Sequence, residues 1–146
     1  MKRIVTGILC SGLLLGLGIQ TLKADDKADS ERLKEPVQRV NDDAKRGNVD
    51  QVLRGISVET GVPRDAVESM HKRYSEDKVA NIMIACVIAD QTKAPPEDLL
   101  KRHHDGKSWP EVARENRVPV GLIAERLDRL DRQITRPVSE RDVKRR

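Results

Sequence analysis

Residues 79–89, VANIMIACVIA, leave this chain few ways to fold. Val79, Ile82, Met83, Cys86, Val87 and Ala89 cover one wide face of a helix, and Ile84, Ala85 and Ile88 fill much of the other. A helix that is apolar on nearly all sides is a buried one. Ser75 is read as its N-cap, with Glu76 and Asp77 in the first turn, where the helix dipole favours negative charge. At about 1.5 Å per residue, a helix over residues 76–92 would be roughly 25 Å long. It would span a small domain, but it is too polar at both ends for a bilayer. The rest of the chain is therefore expected to wrap around it.

The material available for wrapping is helical. Aromatic residues number one Trp and one Tyr, with no Phe, so the core must come from Val, Ile, Leu and Ala. Strand-like alternation occurs nowhere over a useful length. The expected fold class is all-α, a compact array of about six short helices around a buried central helix at residues 76–92.

A repeat supports that number. Ile56-Ser57-Val58-Glu59-Thr60-Gly61-Val62-Pro63 is echoed by Ile88-Ala89-Asp90-Gln91-Thr92-Lys93-Ala94-Pro95, and again by Val112-Ala113-Arg114-Glu115-Asn116-Arg117-Val118-Pro119. Four residues after each Pro stands a branched aliphatic: Val67, Leu99, Ile123. Each copy reads as a helix ending in Thr or Asn, a small aliphatic in the corner, and a Pro opening the next helix at N1, where its missing N–H costs nothing. Three such corners imply about six helices.

The third copy is the best formed. Ser108-Trp109-Pro110-Glu111 has the S-x-x-E capping box, and Trp109 is expected to anchor its corner on the core. Ile123, Leu127, Leu130 and Ile134 then run at i, i+4, i+7 and i+11 along a helix that Arg136-Pro137 ends. Residues 136–146 read as a disordered basic tail. Residues 25–48 are dense in charge, with only Val37, Val40 and Ala44 hinting at a stripe and Pro36 interrupting it. They read as a charged arm or a loosely docked helix before a helical domain at residues 49–135.

Residues 1–24 have the layout of a secretory signal peptide. Met1-Lys2-Arg3 is a short positive start, residues 4–19 are apolar, and Ala24 precedes the acidic Asp25-Asp26. Leu22 is a mediocre fit at the −3 position, so an uncleaved anchor over residues 4–22 in the inner membrane is the alternative. A cytosolic chain with an apolar first helix is a third reading. Export, most simply to the periplasm, would remove Cys10 and leave Cys86 as a small core residue unable to form an internal disulfide.

The net charge of +4 invites a nucleic-acid reading, but three of the 28 basic residues lie in the leader. Residues 125–146 carry eight basic and five acidic side chains, which leaves residues 25–124 slightly acidic. The third corner, WPEVARENRVPVGLIAERL, has the spacing of a helix-turn-helix DNA-binding motif. Its second helix, however, alternates Arg126, Arg129 and Arg132 with Glu125, Asp128 and Asp131 and opens on Val120, Gly121 and Leu122. That is a weak field for phosphate and a start with no side chain to read a base. DNA binding, by a cytoplasmic or membrane-anchored protein, is kept as the alternative function.

ETGVPRDAVESM and GKSWPEVA resemble segments of a group of small secreted bacterial helical proteins that carry TGVP…V…M followed by G-x-x-W-x-x-[IV]-A. The likeness covers residues 56–130 and implies export and a helical fold. One departure is Arg117, where a Gly before the Val would be expected.

His71, His103 and His104 are the only histidines. Adjacent residues point about 100° apart on a helix, so His103 and His104 make a poor metal pair, and no metal or other cofactor is expected. His71 and His103 each stand eight residues after a corner Pro, which places them at helix C-termini. No phosphate loop, nucleophile elbow, Cys-x-x-Cys or H-E-x-x-H segment is present. The expectation is a non-catalytic structural or protein-interaction module of the cell envelope. Its candidate contact surface is Arg126, Arg129, Arg132, Arg136, Arg141, Lys144, Arg145 and Arg146, facing an envelope protein or an anionic surface.

Overall fold

The computed structural model describes residues 17–75 and 78–135, with side chains from residue 25 onward. Among the described residues there is no strand. The elements are α1 (Leu17–Asp43), a π-helical turn (Ala44–Asn48), α2 (Val49–Thr60), α3 (Arg64–Arg73), α4 (Val79–Thr92), α5 (Pro96–His104), α6 (Trp109–Glu115) and α7 (Val120–Thr135). Three corner pairs, α2–α3, α4–α5 and α6–α7, follow the long first helix. The all-α array around a central helix is the observed fold.

Helix α4 is that centre. Val79, Ala80 and every residue from Ile82 to Ala89 are buried. Burying one large aliphatic side chain contributes about 1.5–3 kcal/mol, so this helix alone supplies much of the drive to fold. Its start differs from the expectation. Lys78, not Ser75, is the N-cap, and it makes no side-chain capping bond. The free N–H of Ala80 is met instead by Oδ1 of Asn41 on α1, buried and 3.1 Å away. A helix end that enters the core loses water as a partner, and only a side chain from a neighbouring helix can reach it there. Glu76 and Asp77 lie outside the described residues.

The three corners share one geometry. Thr60 Oγ1 donates to Ile56 O at 2.7 Å, Thr92 Oγ1 to Ile88 O at 2.8 Å, and Asn116 Nδ2 to Val112 O at 2.7 Å. The next residue turns left-handed in each: Gly61 at φ 71°, Lys93 at 62°, Arg117 at 58°. Its N–H, or that of the following residue, closes the helix on the carbonyl of Ser57, Ala89 or Ala113. Pro63 and Pro95 stand at the N-cap rather than at N1, and their carbonyls accept from Val67 and Leu99. Val67, Leu99 and Ile123 all point into the core. Gly occupies the left-handed site once, and a Lys and an Arg bear its steric cost at the other two. Without Gly at 117 the third corner still turns left-handed, but its helix ends one residue earlier and closes from the Val118 N–H.

The largest departure from expectation is α1. It runs unbroken through Pro36, which is itself buried, and from Leu33 onward it is firmly docked rather than loosely. Leu33, Val37, Val40 and Ala44 form its inner stripe, at i, i+4, i+7 and i+11. That is the same spacing as Ile123, Leu127, Leu130 and Ile134 on α7, against which α1 packs most extensively. Arg39 meets Asp128 and Asp43 meets Asp131, so the two helices run parallel. Burial on both sides of Pro36 outweighs the one helix hydrogen bond it removes. α7 also lies tight on α2 at Gly55, where a Cβ would come within 2.4 Å of Leu130 Cδ1.

Candidate functional site

The basic residues of α7 do not form one outward face. Arg126 is only 15 % exposed and reaches inward, with Nη1 on the carbonyl and on Oε1 of Glu59 (3.0 Å) and Nη2 on Asp90 Oδ2 at 2.8 Å. It ties the ends of α2 and α4 to α7 across two of the corners. Glu59 is more buried still, at 6 %, and takes further bonds from Arg129 at 3.1 Å and Gln133 at 3.3 Å. Buried charges survive only when paired and hydrogen-bonded, and here each one is. Arg129 is half exposed and bridges Glu59 to Glu125, while Arg132 faces solvent. Arg136, Arg141, Lys144, Arg145 and Arg146 lie outside the described residues. The structure therefore separates one inward residue, Arg126, from two that stay at the surface.

Nearby, the start of α7 is partly covered. Val120 is buried and Leu122 half-buried, with Gly121 exposed between them. A recognition helix needs its first turn free to enter a groove.

The other marked residues are engaged in the packing. Ser108 carries the full capping box, its N–H on Glu111 Oε2 at 2.8 Å and its Oγ on the Glu111 N–H. Ser108 Oγ–H also donates to Glu111 Oε2 at 2.7 Å, and this bond, then the one from the Ser108 N–H, holds the Glu111 carboxyl below its usual range. Trp109 is buried, with Nε1 donating to Asn81 Oδ1 at 3.0 Å, so the α6 corner is pinned to the first turn of α4. His103 stacks on the Trp109 ring (centroids 4.3 Å apart, planes 20°), and its Nδ1 bonds the Lys107 carbonyl at 2.8 Å. His104 meets Tyr74 edge-on. His71 and His103 lie in the last turns of α3 and α5. Among the described residues, no group of three or more His, Cys, Asp or Glu side chains is placed to hold a metal ion. Burial pushes the Cys86 thiol up to about 12, which keeps it in its unreactive protonated form at neutral pH.

A groove of ≈ 380 Å³ runs between α1 and the start of α6, lined by Leu33, Lys34 and Val37 on one side and by His103, Trp109 and Pro110 on the other. Sequence reasoning missed both this groove and the carboxyl pair Asp43–Asp131, because both need α1 docked. The signal that could have found them was Leu33: added to Val37, Val40 and Ala44, it completes a stripe matching that of α7.

No family model, curated protein or solved structure matches the chain.

Proposed function

We propose that this is an exported, non-catalytic helical module that acts by contact with another component of the bacterial cell envelope. The observation that carries this reading is where the core begins. Its first member among the described side chains is Leu33. Residues 25–32, which directly follow the expected leader, add no side chain to that core. Cleavage after Ala24 would place Asp25 and Asp26 at the start of α1, where the dipole favours acid, and Asp26 already pairs with Arg114 of α6. The resemblance of residues 56–130 to small secreted helical proteins points the same way. Among the described residues, no helix is long and apolar enough to cross a membrane.

The contact surface is narrower than the sequence implied. Arg126 is engaged inside, so Arg129, Arg132 and the basic residues of 136–146 are the groups left to meet an acidic partner or anionic surface. The DNA-binding alternative draws less support, because α7 is covered by α1 and opens on buried Val120.

The test is mass spectrometry of the protein from its native host, fractionated by compartment. We expect a mature chain beginning at Asp25 in the periplasmic fraction. A cytoplasmic chain beginning at Met1 would overturn the reading, and a membrane-bound chain retaining residues 4–22 would replace it with the anchored form.

A further inference from the structure

Asp43 ends α1 at only 4 % exposure. It faces Asp131 across the α1–α7 seam, and the two line a small cavity of ≈ 260 Å³ with Arg39, Asp42, Arg46 and Thr135. The charged groups acting on Asp43 come from three elements: Asp131 of α7, Arg46 of the π turn, and Asp42 of α1 itself. None of them satisfies its charge. Arg46 Nη1 stands 3.6 Å from Oδ1, too far for a hydrogen bond, on a side chain that is 73 % exposed. Oδ2 has no N–H or O–H donor within reach. Arg39, which could have neutralised the far side, is shared between Glu35, Asp128 and Asp131, and its Nε lies 3.4 Å from Asp131.

Two carboxyl groups thus meet at the end of the α1–α7 seam, with too few donors for two negative charges. Leaving a buried ionised oxygen unbonded is costly, and one proton between the pair removes both the repulsion and the unmet acceptor. Just beyond Asp43 the chain leaves α-helical geometry for the π turn and Gly47 at φ 93°, a joint that can yield while Leu33, Val37 and Val40 stay packed. We propose that the Asp43 carboxyl keeps a proton in mild acid and donates it in a hydrogen bond to Asp131, latching the end of α1 to α7, and that loss of this proton loosens the seam at the π turn.

Burial first, then the charge of Asp131 and a hydrogen bond with it, hold the Asp43 carboxyl above the usual carboxylate range. An acid raised in the folded state adds stability that is complete below its unfolded value and lost as pH climbs through the folded one. The latch closes in acid. Glu111 and Glu115, held low by Ser108 and by Lys107, act with the opposite sign and lose their contribution as pH falls. Global melting mixes the two, so a local measurement is needed. Use of the latch as a sensor of external acidity rests on the exported reading, whereas the latch itself does not.

The experiment is amide hydrogen exchange on the full chain at pH 5 and pH 7, corrected for intrinsic exchange, with Asp43→Asn and Asp131→Asn beside the wild type. Protection over residues 40–50 and 128–135 should be greater at pH 5 than at pH 7 in the wild type. In Asp43→Asn it should be high at both pH values, because an amide supplies the donor permanently. Asp131 is 19 % exposed, so Asp131→Asn carries the same test should the first variant not fold. Wild-type protection that is flat or lower at pH 5 would overturn the proposal. So would a loss of protection at pH 7 in Asp43→Asn, which would make the Arg46 ion pair the working contact. Survival of the pH dependence in both variants would overturn it too.

Discussion

Helix α4 and the α1–α7 seam are both buried, yet they are held by different means. α4 offers apolar side chains on every face, and its main polar requirements are met from outside, by Asn41 at its start and by Arg126 on Asp90 near its end. The seam has a narrow apolar stripe on each helix, flanked by charges that meet across it: Arg39 with Asp128, and the like-charged pair of Asp43 with Asp131. The rod gains its place from area, which tolerates no polar change but does not depend on pH. The seam adds direction and register through charge, and it is there that protons can act. One predicts a part of the molecule that is hard to loosen, the other a part whose grip can be set by conditions.

Substitutions can sharpen that contrast. The largest effect should come from Ile84→Ala in α4, which leaves a cavity in a fully buried site and should cost about 3–4 kcal/mol in urea unfolding. A cost under about 1 kcal/mol would mean that α4 is not the packed centre. Arg126→Ala comes next. It strips Glu59 of its best partner and should cost about 2–3 kcal/mol, whereas Arg129→Ala, half exposed on the same carboxylate, should cost less than about 1 kcal/mol. Equal losses for the two would deny the inward and outward division of the α7 arginines. Gly55→Ala should be destabilising by about 1 kcal/mol, since the clash with buried Leu130 exceeds the gain in helix propensity. A rise in melting temperature for this variant would show that α7 can move away from α2.

The smallest effects concern the corners. Lys93→Gly and Arg117→Gly should each stabilise the protein by about 0.5–1 kcal/mol, because both residues sit at left-handed φ where Gly carries no penalty. Gly61→Ala should do the reverse by a similar amount. Chemical denaturation of the three variants compares the corners directly. If Arg117→Gly were destabilising, the Arg side chain would be supplying a contact worth more than its strain.

The corners were legible in the chain because everything they need is local. Thr or Asn bonds back four residues, the next residue turns, and Pro restarts the helix, all within one short repeat. The same holds for the capping box at Ser108 and the stripe of α7. The docking of α1 was hidden by composition: its apolar residues Leu33, Val37, Val40 and Ala44 are scattered among charges and crossed by Pro36, so propensity argued for a loose arm. What the local pattern could not contain was the partner. α7 above all, at the far end of the folded chain, together with α4 and α6, makes that stripe worth burying.

Sequence alone was enough to determine an all-α chain, a buried helix at its centre and three equivalent turns, since helix periodicity and turn chemistry act over a few residues. Tertiary structure decided which charges face inward, that Asn41 caps α4, and that two aspartates meet at the end of α1. Those outcomes depend on which helices lie side by side, and proximity between distant residues is what lets a side chain trade water for another part of the protein.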